Sequence, residues 1–337
     1  MRTLRNYTTL VLLLCLMGKA QAQDIHFSQF YETPLFRNPA LAGIVNGDYR
    51  VQAVYRSQWN SISNAYKTIS ANAEYKLQVG GGENYATLGV QVFHDEAGSS
   101  NLKTTHVLPA LNFHKSISNT RNLYLSAGFM GGVVQRTFDR SKITTNNTYD
   151  NGTDGENLAT NGYRYFDGSA GLSLNGDFGE SAENSFVVGA AMHHLTKPKN
   201  SFYRGAAIEV KPKYVFSGAV KLGMTENTNV VFHGDYTMQD NFQEIIAGLL
   251  YSIKFGPDYE MPDVALSAGG FLRLNDALIP TVKLDYKGIS MGLSYDVNIS
   301  KLKNTSYGQG GFELSLTFVG FTQRDNSSLN AMHCPRF

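Results

Sequence analysis

LIPTVKLDYKGISMGLSYDVNI, residues 278–299, reads as two strands joined by a tight turn. Pro280, Val282, Leu284 and Tyr286 alternate with Thr281, Lys283, Asp285 and Lys287. Beyond Gly288, Ile289, Met291, Leu293, Tyr295, Val297 and Ile299 alternate with Ser290, Gly292, Ser294, Asp296 and Asn298. A period of two puts each set on its own face of a strand. Lys287-Gly288 is a two-residue hairpin loop in which glycine tolerates positive φ, so Tyr286 and Ile289 face each other. The apolar face carries no charge over its whole length. The other face carries Lys, Asp and Asn along the middle of the strands, where a soluble sandwich would put them at the ends. Apolar toward lipid and polar toward a lumen is the pattern of a transmembrane barrel.

The same alternation recurs through the chain. Tyr49, Val51, Ala53 and Tyr55 alternate with Arg50, Gln52 and Arg56; Ile69, Ala71, Ala73, Tyr75 and Leu77 alternate with Thr68, Ser70, Asn72, Glu74 and Lys76. Further strands are expected near 85–94, 105–115, 122–136, 163–175, 185–195, 211–223, 228–238, 242–255, 264–274 and, last, 311–321. With the hairpin they make fourteen, an all-β, antiparallel up-and-down barrel; Gly and Pro blur the ninth to twelfth strands, and twelve is the alternative. An even count suits a bacterial barrel whose ends share one side of the membrane. If strand one runs outward, the long polar stretches 137–162, 196–210 and 301–310 all fall outside, and the short connections 116–121 and 287–288 fall inside.

Residues 1–22 read as a secretory signal peptide: basic Arg2 and Arg5, an apolar run from Leu10 to Met17, and Ala20-Gln21-Ala22 as a cleavage site. Residues 23–46, punctuated by Pro34, Pro39 and Gly43, read as an N-terminal periplasmic or lumen-filling segment; 47–321 hold the barrel and 322–337 a periplasmic tail. No later apolar run is long enough for a spanning helix. A net charge of +1 gives no reason to invoke nucleic acid. Beyond the leader Cys334 is the only cysteine, which rules out an internal disulfide framework.

Chemistry-bearing clusters are sparse. His193-His194 resembles a metal pair, but neighbours on a strand point to opposite faces. His106, Asn112 and His114 share a lumen face and read as polar filler. Asp150, Asp154, Gly155 and Glu156 approach a calcium loop that fails at Gly152 and Asn161, two of its ligand positions. No nucleophile motif stands out, so no enzyme, metal or cofactor is expected. Arg50, Arg56, Lys211, Lys213 and Lys283 are long enough to narrow the lumen. Tyr55, Trp59 and Tyr66 suit an aromatic girdle at the outer end of the first hairpin.

Three stretches together carry a resemblance. Asp24-Ile25-His26-Phe27-Ser28-Gln29-Phe30 with Asn38-Pro39-Ala40-Leu41-Ala42-Gly43, then Tyr55-Arg56-Ser57-Gln58-Trp59, then Cys334-Pro335-Arg336-Phe337 resemble the PorP/SprF family of the type IX secretion system in Bacteroidetes. One departure is His94-Asp95-Glu96-Ala97-Gly98, where an Asn-Asp type of turn is expected. The resemblance implies a non-enzymatic outer-membrane protein that supports export or surface anchoring of a large secreted cargo such as an adhesin, and gliding motility; the alternative, a passive outer-membrane pore for small solutes, fits the alternation equally well. Its partners would be secretion components in the periplasm and outer membrane, the cargo and the bilayer. Asn38, Pro39, Gly43, Arg56, Gln58, Trp59, Cys334, Pro335, Arg336 and Phe337 are then the family-motif and candidate partner-binding residues.

Overall fold

The structure is a computed structural model that describes residues 24–322 apart from 59–65, 81–82, 119, 144–145, 153–154, 156–159, 180, 182, 204–207, 258–261 and 301–308. Residues 1–23, Trp59, Asp154, Glu156 and residues 323–337 therefore lie outside the described residues. Fourteen strands follow one another around a closed antiparallel barrel. They are β1 (Tyr49–Gln58), β2 (Tyr66–Val79), β3 (Asn84–Ala97), β4 (Leu102–Ser116), β5 (Leu123–Thr137), β6 (Gly162–Asp177), β7 (Ser185–His193), β8 (Lys213–Thr225), β9 (Thr228–Gln239), β10 (Phe242–Phe255), β11 (Val264–Arg273), β12 (Ala277–Tyr286), β13 (Ile289–Asn298) and β14 (Gln309–Gly320). The count is fourteen and not twelve. Pro280 interrupts the ladder: β12 pairs with β13 at Ala277–Leu278 and again from Thr281, without ending the strand, since proline has no N–H to donate.

Burial is inverted relative to a soluble sheet. Leu278, Val282, Leu284, Met291, Leu293, Leu314 and Leu316 are exposed on the outer surface, while Arg56, Asn112, His114, Asn175 and Glu313 are wholly buried inside. The two-residue periodicity holds because lipid and lumen lie on opposite faces of every strand. At the β12–β13 turn it is Lys287 that takes positive φ, at 52°. Gly288 is needed for another reason: a Cβ there would come 2.4 Å from the Val319 carbonyl oxygen.

The lumen is filled. Residues 24–48 cross the barrel lengthwise, with short helical turns at Phe30–Glu32, Pro34–Arg37 and Pro39–Leu41. Asp48 donates its N–H to the Gly320 carbonyl at the short-turn end (2.8 Å), where β1 begins. Asp24 lies at the opposite end, against Gln239, His194 and Lys213. The described chain thus starts at the end that carries the long loops, although strand parity alone suggested that both ends sit on the short-turn side. Long loops face outward in such barrels.

The plug packs through its apolar side chains. Phe30 joins Ile246, Leu250, Phe271, Ala277 and Ile279; Leu41 and Ile44 join Val187 and Ala219; Phe27 joins Val54 and Phe93. The plug is thus received by apolar patches on the lumen face, at Val54 of β1 and Phe93 of β3, at Leu108, Ala110 and Met130 of β4 and β5, and on β7, β8 and β10–β12, among side chains that are otherwise largely polar.

Candidate functional site

The densest cluster ties the start of the plug to β1, β11, β13 and β14. Arg56 is fully buried; its guanidinium donates to the Ser28 hydroxyl at 2.7 Å and to Asp296 at 2.9 Å, and pairs with Glu313. Glu313 in turn accepts the backbone N–H groups of Ser28 (2.6 Å) and Gln29 (2.7 Å). Arg273 donates to the Ser28 hydroxyl at 2.6 Å, and that hydroxyl donates to Asp296 at 2.5 Å. Charges removed from water persist only when paired and hydrogen-bonded. Here two guanidinium groups face two carboxylates, with the plug backbone filling the remaining acceptor positions.

Farther along, Arg37 grips Asp235 in a two-pronged pair, with Nε donating at 2.7 Å. Its backbone carbonyl accepts from His193 Nε2 at 3.0 Å. Asn38 holds the next turn: its Oδ1 accepts from the Ala40 N–H at 2.8 Å and its Nδ2 donates to the Leu172 carbonyl at 3.0 Å. Pro39 follows at the first position of the turn, where no N–H is required. Gly43 has φ +78° and donates its N–H to Glu74 at 2.8 Å. A Cβ at Gly43 would lie 2.0 Å from the Thr87 hydroxyl, so neither its backbone nor its space admits another residue.

At the long-loop end the plug is latched by Asp24. Its carboxylate accepts from His194 Nε2 at 2.8 Å and Lys213 Nζ at 3.1 Å, and His194 Nδ1 meets Asp167 at 2.6 Å. Opposite faces were expected for His193 and His194, yet both point inward. β7 ends at His193, and His194 takes a left-handed backbone (φ 59°) that returns its ring to the lumen. Burial works against a charge on His194, but the hydrogen bonds it donates to Asp167 and Asp24 outweigh it and hold its pKa up to about 9. Burial likewise opposes charge on Asp24; Lys213 and His194 overcome it and hold that carboxyl well below its ordinary range. Stabilisation from His194 is complete below its ordinary value of 6.5 and is lost as pH rises through about 9. Stabilisation from Asp24 is complete above its ordinary 3.8 and is lost on acidification below it. The latch is therefore expected to hold from about pH 4 to about 9. A fluorophore attached near residue 24 should gain mobility between pH 8 and 10, while the barrel band on unheated gels stays unchanged; equal mobility throughout would show the latch contributes nothing.

Open space remains between plug and wall. A small cavity near the long-loop end, about 50 Å³, is lined by Asp24, His26, Phe36, Arg37, Lys213 and Glu244. A larger one at the short-turn end, about 760 Å³, is lined by Tyr31, Arg37, Leu41, Lys221, Leu250, Lys283 and Phe321, among others. Arg37 borders both, so its pair with Asp235 stands between them.

A sequence profile described as "Type IX secretion system membrane protein PorP/SprF" matches residues 19–318. The chain belongs to the PorP/SprF family. No curated protein sequence matches it. Among solved structures, the toluene transporter TbuX of Ralstonia pickettii is 8% identical with a TM-score of 0.49, over 84% of this chain and 92% of that one. A FadL homologue of Pseudomonas aeruginosa is 10% identical with a TM-score of 0.48, over 85% and 94%. The P. putida toluene transporter TodX is 10% identical with a TM-score of 0.45, over 85% and 93%. Likeness at this level carries no statement about what this barrel handles.

In this PorP/SprF protein the motif residues occupy two kinds of place. Asn38, Pro39, Gly43 and Arg56 are buried inside the barrel, so with the plug seated they hold it and face no partner. Gln58 closes β1, opposite Gly311 and Tyr66 at the long-loop end; Trp59, Cys334, Pro335, Arg336 and Phe337 lie outside the described residues. Four of the five basic side chains expected to narrow the lumen are tied down: Arg50 to Glu74, Arg56 to Glu313, Lys213 to Asp24, and Lys283 to Glu32 at 2.8 Å. Lys211 is exposed. Ser28, Glu313, Asp235 and Asp296 were not singled out from sequence, although carboxylates in mid-strand on a lumen face already call for buried cations. Among the described residues no cluster of His, Cys, Asp and Glu fits a metal ion.

Proposed function

We propose that this PorP/SprF outer-membrane barrel is a plugged, non-enzymatic component of the type IX secretion system that supports export or surface anchoring of a cognate secreted protein, such as an adhesin. Where that cargo is a motility adhesin, gliding depends on the barrel too. The observation that carries the reading is the plug, held at three levels by Asp24, Ser28 and Arg37 through buried ion pairs and hydrogen bonds. A barrel so filled is suited to meet partners at its rims and ill suited to pass solutes. Specificity would then reside in the long-loop connections 138–161 and 194–212 and in the short-turn rim.

Purified protein in planar bilayers should give no steady conductance at neutral pH; a stable open pore would favour a passive small-solute channel instead. In cells, removal of the barrel should leave the cognate cargo unexported or shed, with other type IX substrates unaffected. Replacement of residues 194–212 by those of a relative should transfer dependence to the relative's cargo. Normal surface display of every cargo without the barrel would end the reading.

A further inference from the structure

We propose that the 760 Å³ cavity at the short-turn end is the seat of this chain's own C-terminal segment, with Cys334-Pro335-Arg336-Phe337 inserted between plug and barrel wall. Three observations lead there. The first is where the described chain leaves the barrel. Phe321, just past β14, is itself one of the residues lining the cavity, and the Thr322 N–H is held by Asp48 at 2.9 Å. The chain that follows therefore departs from the mouth of this cavity.

The second is reach and room. Fifteen residues follow Thr322 (337 − 322), enough to extend about 50 Å at roughly 3.3 Å per residue. The twelve residues of β14 rise only about 40 Å by the same measure. No depth of the cavity is out of range. Its volume falls within the roughly 300–1,000 Å³ of ligand pockets. That admits the end of the tail and excludes most of its length, so residues 323–333 serve as a tether.

The third is chemistry. One side of the cavity is apolar, formed by Leu41, Ile44, Val187, Ala219, Val231 and Leu250, a surface suited to Phe337 and Pro335. Asp263 lines the same space and supplies a carboxylate for Arg336, while Glu183 there is paired with Lys254 and Asp177 with Asn122. Tethering decides the occupant. A short flexible linker gives an effective concentration in the millimolar range, so even a weak fit is occupied by the attached segment before a dilute peptide of equal affinity competes.

Cys334 makes the proposal testable with the full chain. In a Cys15→Ser background it is the only cysteine. Ala219→Cys and Val231→Cys place a second thiol in the cavity; Ile117→Cys, 48% exposed on the turn after β4, places one at the same end outside the lumen. With purified, detergent-solubilised protein and a mild oxidant, disulfides from Cys334 to positions 219 and 231 should form at least tenfold faster than to position 117. Adding Phe337→Ala should slow the cavity disulfides toward the control rate, with the folded band on unheated gels unchanged. Should one cavity variant fail to fold, the other gives the same reading. Equal rates at the cavity and the control overturn the proposal. So does a cavity disulfide absent from purified protein but present in membranes that hold the secretion machinery, or capture of Cys334 by a periplasmic protein, either of which assigns the tail to a partner.

Discussion

Arg56→Ala is expected to free the plug and turn a silent barrel into a conducting one. The substitution removes the cation that Glu313 and Asp296 share with the Ser28 hydroxyl. Asp296 keeps Arg273 at 3.3 Å, but Glu313 keeps only the N–H groups of Ser28 and Gln29 and the plug contacts around them. Breaking a buried pair from one side costs about 3–5 kcal/mol, mostly because a charge is left buried and unpaired. The barrel wall has its own closed ladder of backbone hydrogen bonds, so the cheaper relief is to let Ser28 and Gln29 leave and water reach Glu313. Conductance in planar bilayers should rise from none to a steady open level, and added protease should cut within residues 24–46 while the strands survive. The double variant Arg56→Ala with Glu313→Gln removes the orphaned charge and should recover part of the closed state. Arg56→Lys should fall between wild type and Arg56→Ala, since an ammonium keeps the charge but not the planar fork. A closed Arg56→Ala barrel would show that the apolar contacts of Phe27, Phe30 and Leu41 suffice to hold the plug.

That network marks where reading from sequence stops. Strand facing is a local property: residues 282 and 284 point to lipid because 283 and 285 do not, and a few consecutive residues decide it. Ser28 and Glu313 are 285 positions apart, and no periodicity links them. What the sequence does carry is the requirement for partners, since Arg56 on one side and Glu74, Asp235, Asp296 and Glu313 on the other lie within strands on the lumen face, buried in the filled barrel. Which acid meets which base depends on the plug's path, and that path was not readable from Pro34, Pro39 and Gly43. His194 and Lys287 were misread for a similar reason. Each takes positive φ at a strand end, where the chain turns and the period of two no longer applies.

Leu293→Arg should abolish most assembly, and a lumen-facing position offers a control. Leu293 lies midway along β13, 42% exposed on the lipid face, opposite Val282 and Leu314 on its neighbours. A cation there sits in hydrocarbon near mid-bilayer and costs about 2–4 kcal/mol, which corresponds to more than a tenfold loss of the folded barrel at about 1.4 kcal/mol per factor of ten. Ser294 next to it has the right facing for a comparison but the wrong room: it is 2% exposed inside the filled lumen, and an arginine would collide with its surroundings. Ala265 on β11 lines the 760 Å³ cavity, where a long cation can extend into space that water reaches. Outer-membrane levels, read from the folded band on unheated gels, should fall at least tenfold for Leu293→Arg and remain within about twofold for Ala265→Arg. Equal losses would mean that the assigned faces of β11 and β13 do not divide lipid from lumen.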